Sequence, residues 1–256
     1  MMSVRPAVGR SASEMDHVPT IGLVVPFAED KVPLEGPLMY PGVRFVARGV
    51  GVRALTPEGY EPAWNAILPA AEHLAGEGVD AIMVIGTSLT FYRGPQAHKA
   101  LLEELRQRTG LPVSTMSQAI IDGLREVGAQ RVAVATAYSD VVNRRLCELL
   151  AADGIEVSAL ECFDLLEFGG PSKKSEADII GLSDAAVERA DGAEGILISC
   201  GGLRTLGVAA PLEARHDLPV VSSATAAFWA AMRLVGQSGR IDGYGRLFEQ
   251  ARAPVQ

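Results

Sequence analysis

The chain is poor in the residues that announce several common functions. It has only three cysteines, four histidines and 5% aromatics in 256 residues. Cys147, Cys162 and Cys200 lie far apart with no CxxC among them, so no disulfide framework is expected and a reducing cytoplasm is the expected compartment. His17, His73, His98 and His216 are equally scattered and no pair has metal-ligand spacing, so no metal is expected. No apolar run approaches the roughly 18 residues of a membrane span. The opening residues MMSVRPAVGRSASEMD lack the apolar core of a secretory signal, and 1–17 reads as a disordered tail. There is no Lys/Arg block and the net charge is −8, which argues against nucleic acid or an anionic membrane as partner. A locally positive pocket could still take an anionic substrate. No P-loop is present, and GVGVRA (49–54) begins like a dinucleotide fingerprint but lacks its last glycine, so no nucleotide cofactor is expected. GTSLT (86–90) carries Thr90 where a GxSxG nucleophile elbow needs glycine.

What the chain does have is alternation. Short runs rich in β-branched residues read as strands at 20–26, 79–86, 111–115, 131–138, 155–163, 194–199 and 218–222. Helical patterns fall between them, at 57–78, 93–110, 118–128, 139–154, about 175–190 and about 224–235. Strands alternating with helices of this length predict a parallel α/β fold.

There is also an internal repeat. GLPVSTMSQAIIDGLREVG (110–128) resembles DLPVVSSATAAFWAAMRLVG (217–236), a period of about 110 residues. That is too long for a solenoid and predicts two similar lobes facing each other. The expected division is 18–118 plus 223–256 for one lobe and 119–222 for the other. Upstream of each repeat member, IGTSL (85–89) and SCGGL (199–203) match without a gap, placing Gly86 on Cys200. Both lie past the carboxyl end of a strand, where open parallel sheets bind ligands, so a cleft between the lobes would bring them together.

Cys200 is the sharpest candidate. An arbitrary cysteine is most often a buried packing residue, but a strand end followed by Gly201 and Gly202 is where a thiol can reach a ligand. Thr87 and Ser88 read either as a satisfied turn or as an anion cradle of hydroxyls and N–H groups. Tyr138 ends a strand before a helix cap at Ser139-Asp140, and reads either as a half-buried packing residue or as a phenol donor into the same cleft.

Eight segments in order over about 20–248 resemble the aspartate/glutamate/hydantoin racemase superfamily and, within it, the arylmalonate decarboxylases. They are TIGLVVP, LTPEGY, GTSLTFYRG, LPVSTMSQAIIDGLREVG, RVAVATAY, GILISCGGL, LPVVSS and GYGRLF. The resemblance implies two pseudo-symmetric lobes, each a short parallel sheet flanked by helices, with the active site in the cleft. Racemases and isomerases of the superfamily carry one cysteine per lobe. Here the first position is Gly86, as in the decarboxylases, which keep only the second. The implied activity is cofactor-free decarboxylation of a disubstituted aryl- or alkenylmalonate. Cys200 would be the one-sided proton donor, with Thr87, Ser88, Tyr138 and Gly201 around an oxyanion pocket. Pro26, Val52, Leu55 and Leu89 would form an apolar pocket. The implied partner is a small malonate-type dicarboxylate; a monomer is compatible, and the oligomeric state stays open. Residues 163–176 depart from the family pattern, and Lys173 and Lys174 are expected to add charge near its apolar pocket. A racemase, a maleate-type cis–trans isomerase and a non-catalytic carboxylate-binding protein are the alternatives.

Overall fold

The structure, a computed structural model, describes residues 18–249. The expected tail at 1–17 lies outside the described residues. Strands β1 (Thr20–Val25), β2 (Arg44–Gly49), β3 (Ala81–Val84) and β4 (Val113–Thr115) form one parallel sheet in the order β2-β1-β3-β4. Strands β5 (Arg131–Thr136), β6 (Glu156–Cys162), β7 (Gly195–Ser199) and β8 (Val220–Ser222) form a second in the order β6-β5-β7-β8. The two orders are the same when each sheet is counted from its own first strand, so the sequence repeat is a repeat of topology. The central strands are nearly uninterrupted apolar runs because helices cover both their faces.

Strand β2 is absent from the sequence reading. RFVARG lies at the sheet edge and is half-buried along its length, so it shows neither a buried run nor strict alternation. The short helices α1 (Glu35–Met39), α3 (Thr87–Phe91) and α10 (Arg246–Glu249) also escape it, because one turn has no period to detect. Helix α8 (Ala209–His216) is the longest element missed.

The long helices match the expected ones: α2 (Pro57–Gly76), α4 (Pro95–Thr109), α5 (Met116–Glu126), α6 (Asp140–Ala152), α7 (Glu176–Arg189) and α9 (Ser223–Leu234). Their ends follow local chemistry. Thr56 caps α2 by accepting from Gly59 N, Thr115 caps α5 by accepting from Gln118 N, and Ser175 and Asp178 form a reciprocal capping box on α7. Helices α5 and α9 pack on each other and touch strands of both sheets, which makes the pair the seam between the halves.

Buried His98 on α4 lies 2.7 Å from the Thr115 hydroxyl, tying α4 to the start of α5. Burial pushes its pKa down to about 4, against a smaller upward pull from Asp153. The neutral imidazole is therefore the folded form. Its stabilising effect is complete above the unfolded value of about 6.5 and is lost as pH falls toward 4, because the unfolded chain takes up the proton first; the loss is at most about 3 kcal/mol. Denaturant titrations at pH 7 and pH 5 should show His98→Gln with a smaller acid loss than the parent protein. An unchanged acid loss would remove His98 from the account.

Candidate active site

In each sheet the first strand is flanked by the second on one side and the third on the other. The crevice at this switch point opens beyond the strands' carboxyl ends. In the first half it is bounded by Pro26 after β1 and Gly86 after β3, and in the second by Ala137 after β5 and Cys200 after β7. The register makes these positions equivalent. Val24 pairs with Val84, and Val84 with Thr115; Ala135 pairs with Ile198, and Ile198 with Ser222. Gly86 is two residues past Val84 and Cys200 is two past Ile198, so hydrogen-bonded pairing supports the same correspondence as the sequence repeat.

Both residues line one cavity of about 380 Å³. Pro26, Val52, Leu55 and Leu89 lie in its wall, and Thr87, Ser88 and Gly201 line it as well. Tyr138 does not line it. Its side chain is fully buried rather than half-buried, with the hydroxyl 3.4 Å from Ser199 Oγ and its ring 5.8 Å from that of Phe91. It supports the cavity from behind, beside Thr87 and the Cys200 thiol.

Cys200 is only 6% exposed. Burial pushes its thiol up to about 11, and this outweighs the lowering by the N–H groups of Gly202 and Leu203 and by the Tyr138 hydroxyl. The resting group is therefore a thiol, not a thiolate. A Cβ at 201 would lie 2.7 Å from Met116 Sδ, so a larger residue there needs the flexible Met116 side chain to move.

Gly86 has φ +118°, a conformation that favours glycine, and it turns the chain from β3 into α3. The turn is clamped from outside. Thr90 Oγ1 and Ser117 Oγ are 2.6 Å apart; Ser117 donates to the Thr87 carbonyl at 2.8 Å, and Thr90 faces the carbonyls of Thr87 and Gly86 at 3.1 and 3.3 Å. With these carbonyls held from α5, the first N–H groups of α3, which have no partner within the helix, keep a fixed direction.

Tyr60, at the end of the LTPEGY segment, also lines the cavity, although it was not among the expected site residues. It is 1% exposed, and its ring stacks at 5.3 Å on Tyr92. Gly59 permits this placement, because a Cβ there would lie 2.5 Å from the Ala54 carbonyl oxygen. Tyr60 Oη and Thr87 Oγ1 are both buried without a well-formed hydrogen bond to protein, although Ser88 lies beside the first and Tyr138 beside the second. Burial holds the Tyr60 phenol well above its ordinary pKa.

The divergent segment forms a wall across the cleft. Leu55 N donates to Leu166 O at 2.8 Å, Ala54 and Glu167 form an antiparallel bridge, and Phe168 meets Phe27 edge to face at 6.2 Å. Phe168, Gly169, Pro171 and Ser172 line the cavity. The expectation that Lys173 and Lys174 charge this region is corrected. Lys173 pairs with Glu167 at 3.1 Å in solvent, and Lys174 sits over the Phe163 ring at 4.5 Å; neither lines the cavity. The cations that do are Lys31 and Arg204. Among the described residues no three His, Cys, Asp or Glu side chains converge as a metal site.

A family model described as arylmalonate decarboxylase matches residues 21–248. The arylmalonate decarboxylase of Bordetella bronchiseptica is 41% identical over 234 residues, which is 91% of this chain and 98% of that one. A maleate isomerase of Nocardia farcinica is 28% identical over 251 residues, 91% of this chain and 96% of that one. A crystal structure of a double mutant of arylmalonate decarboxylase in the liganded form superposes with a TM-score of 0.89 at 40% identity, covering 91% of this chain and 100% of that one. A maleate isomerase structure from Pseudomonas putida shares the fold at a TM-score of 0.85 and 24% identity, over 92% of this chain and 100% of that one.

Proposed function

The chain belongs to the arylmalonate decarboxylase family, and from that membership and the cavity we propose that it is a carboxy-lyase acting on disubstituted aryl- or alkenylmalonates without a cofactor. The observation that carries this reading is the asymmetry of the cavity. A protonated thiol lines it from one sheet, and the equivalent position of the other sheet has no side chain at all.

One substrate carboxylate binds to the hydroxyls of Thr87 and Ser88 and to N–H groups at the start of α3 and near Gly201. Tyr60 joins this set, since its buried phenol and the Thr87 hydroxyl lack good partners in the protein. The other carboxylate rests against Pro26, Val52, Leu55 and Leu89, where few groups solvate its charge. When the bond from this carboxylate to the α-carbon breaks, CO₂ leaves and the electron pair enters an enediolate. The new negative charge falls on oxygens already facing donors, which is where such donors accelerate a reaction. The Cys200 thiol gives its proton to the α-carbon, and the resulting thiolate recovers one from water. Tyr138 acts through Cys200 and Thr87, holding both from behind. Because Gly86 offers no acid, protonation comes from one side and the product is a single enantiomer.

Pure protein incubated with methylphenylmalonate should release CO₂ and yield optically pure 2-phenylpropionate. No CO₂, or a racemic acid, overturns the reading. Superfamily racemisation or cis–trans isomerisation needs a second proton-carrying or nucleophilic side chain in the place of Gly86, and no feature of the cavity supplies it.

The clamp behind the oxyanion turn gives a further expectation. Ser117→Ala should lower kcat about tenfold with KM nearly unchanged, because it loosens the alignment of donors without removing one. Tyr60→Phe should lower kcat/KM by a similar factor through loss of a donor. Steady-state kinetics separate the two; a Ser117→Ala variant with parental kcat would show that the clamp has no catalytic consequence.

A further inference from the structure

The cavity changes character along its depth. Its floor is neutral and buried: Cys200, Thr87, Ser88 and Tyr60. Its walls are apolar. Its mouth carries charge, with exposed Lys31 in the loop after β1 and exposed Arg204 in the loop after β7. The two cations therefore come from different sheets and converge on one opening. Neither side chain has an ion pair or hydrogen bond to another described residue. Arg48, Arg93, Arg125 and Arg189, by contrast, are each paired to a carboxylate on the surface. The single acid lining the cavity, half-buried Glu35, offsets one of the two charges, so the opening carries a net positive charge in a chain whose net charge is −8.

The reactive malonate group does not need these cations, since its oxygens are met at the neutral floor and the apolar walls lie between. A planar substituent on the α-carbon, extending along those walls, brings its far end to the opening. We infer that Lys31 and Arg204 recognise an anionic group at the distal end of this substituent, so that the preferred substrates are arylmalonates carrying a further carboxylate or sulfonate on the ring. This rests on the decarboxylase reading and names the substrate class within it. Exposed ion pairs are individually weak, so two cations offset by one acid should give a preference of about fivefold rather than an absolute requirement.

The test compares phenylmalonate with its 3-carboxyphenyl and 4-carboxyphenyl analogues. The parent protein should show kcat/KM about fivefold higher for at least one carboxylated substrate, expressed in KM, and the advantage should shrink as salt is raised. Lys31→Ala with Arg204→Ala should abolish the advantage while leaving phenylmalonate turnover within about twofold. Arg204→Glu should reverse it, and Glu35→Gln should enlarge it. Equal kcat/KM for charged and neutral rings in the parent protein overturns the inference. So does an equal loss on both substrates in the double variant, which would mean general attraction of dianions. If no substrate releases CO₂, the decarboxylase reading fails, and calorimetric binding of 4-carboxyphenylacetate against phenylacetate decides the rim separately. A tighter carboxylated ligand whose advantage disappears in the double variant supports it; equal affinities refute it.

Discussion

Replacing Cys200 with alanine should lower kcat by about 10²–10⁴, the range associated with removing a positioned general acid. Burial raises the pKa of both the thiol and the Tyr60 phenol on the floor, and of the two the thiol holds its proton less tightly. The variant should keep its fold, because alanine fills much of the same space at the end of β7 and the turn is held by the bond from Leu203 N to Cys200 O. KM should change only a few-fold, since Thr87, Ser88 and Tyr60 still receive the carboxylate. Any residual product should be close to racemic, because water reaches the enediolate without the facial bias of the thiol. The pH profile supplies an independent check. With the thiol pushed up to about 11, the donor is fully protonated at neutral pH, so kcat should be flat through mildly alkaline pH and decline as pH approaches 11. A Cys200→Ala protein retaining a tenth or more of parental kcat, or a parental kcat that falls with an apparent pKa near 8, would take the thiol out of the mechanism.

Gly86→Cys should convert a one-sided site into a two-sided one. A Cβ built at Gly86 meets Leu89 Cβ at 3.3 Å, Leu89 Cδ2 at 3.5 Å and Pro26 Cβ at 3.8 Å. Only the Leu89 Cβ contact is tight, and none of these atoms is backbone, so small shifts accommodate the new side chain. The main cost is conformational. Holding cysteine at φ +118° should destabilise the fold by about 1–3 kcal/mol, which lowers Tm by several degrees for a chain of this size. The functional effect is larger. A thiol from the first sheet stands at the position equivalent to Cys200, so the enediolate can be protonated from either side. The same pair can remove and replace the α-proton of a finished 2-arylpropionate. Chiral chromatography should show loss of optical purity, and incubation in D₂O should show α-deuteration with inversion. Combining Gly86→Cys with Cys200→Ser should return product enriched in the other enantiomer. If the single variant still yields one optically pure acid after prolonged incubation, the two positions do not face the substrate from opposite sides.

Much of this molecule is legible in its sequence. Strands buried on both faces are continuous apolar runs, and the repeat of LPVST and LPVVS was visible as text. Ungapped alignment of IGTSL with SCGGL placed Gly86 opposite Cys200, and the strand register has the same offset. Seven of the expected pocket residues line one cavity: Pro26, Val52, Leu55, Thr87, Ser88, Leu89 and Gly201. Strand-end position pointed to Thr87, Ser88 and Gly201, whereas Pro26, Val52, Leu55 and Leu89 were named only through the family resemblance.

The rest depended on contacts between distant segments. Edge strand β2 has no buried run to announce it. Tyr60 reaches the cavity because Gly59 lets α2 start against Ala54, and its ring is held by Tyr92 more than thirty residues away. The divergent segment became a wall because Leu55 N found Leu166 O across the cleft, which turned Lys173 and Lys174 outward and left Lys31 and Arg204 at the opening. By itself, the sequence determined the alternation, the repeat and the missing thiol, because these follow from periodicity and residue identity along the chain. Only the tertiary structure decided which phenol lines the cavity and which cations face it, because side-chain direction on a loop is set by whatever the loop docks against.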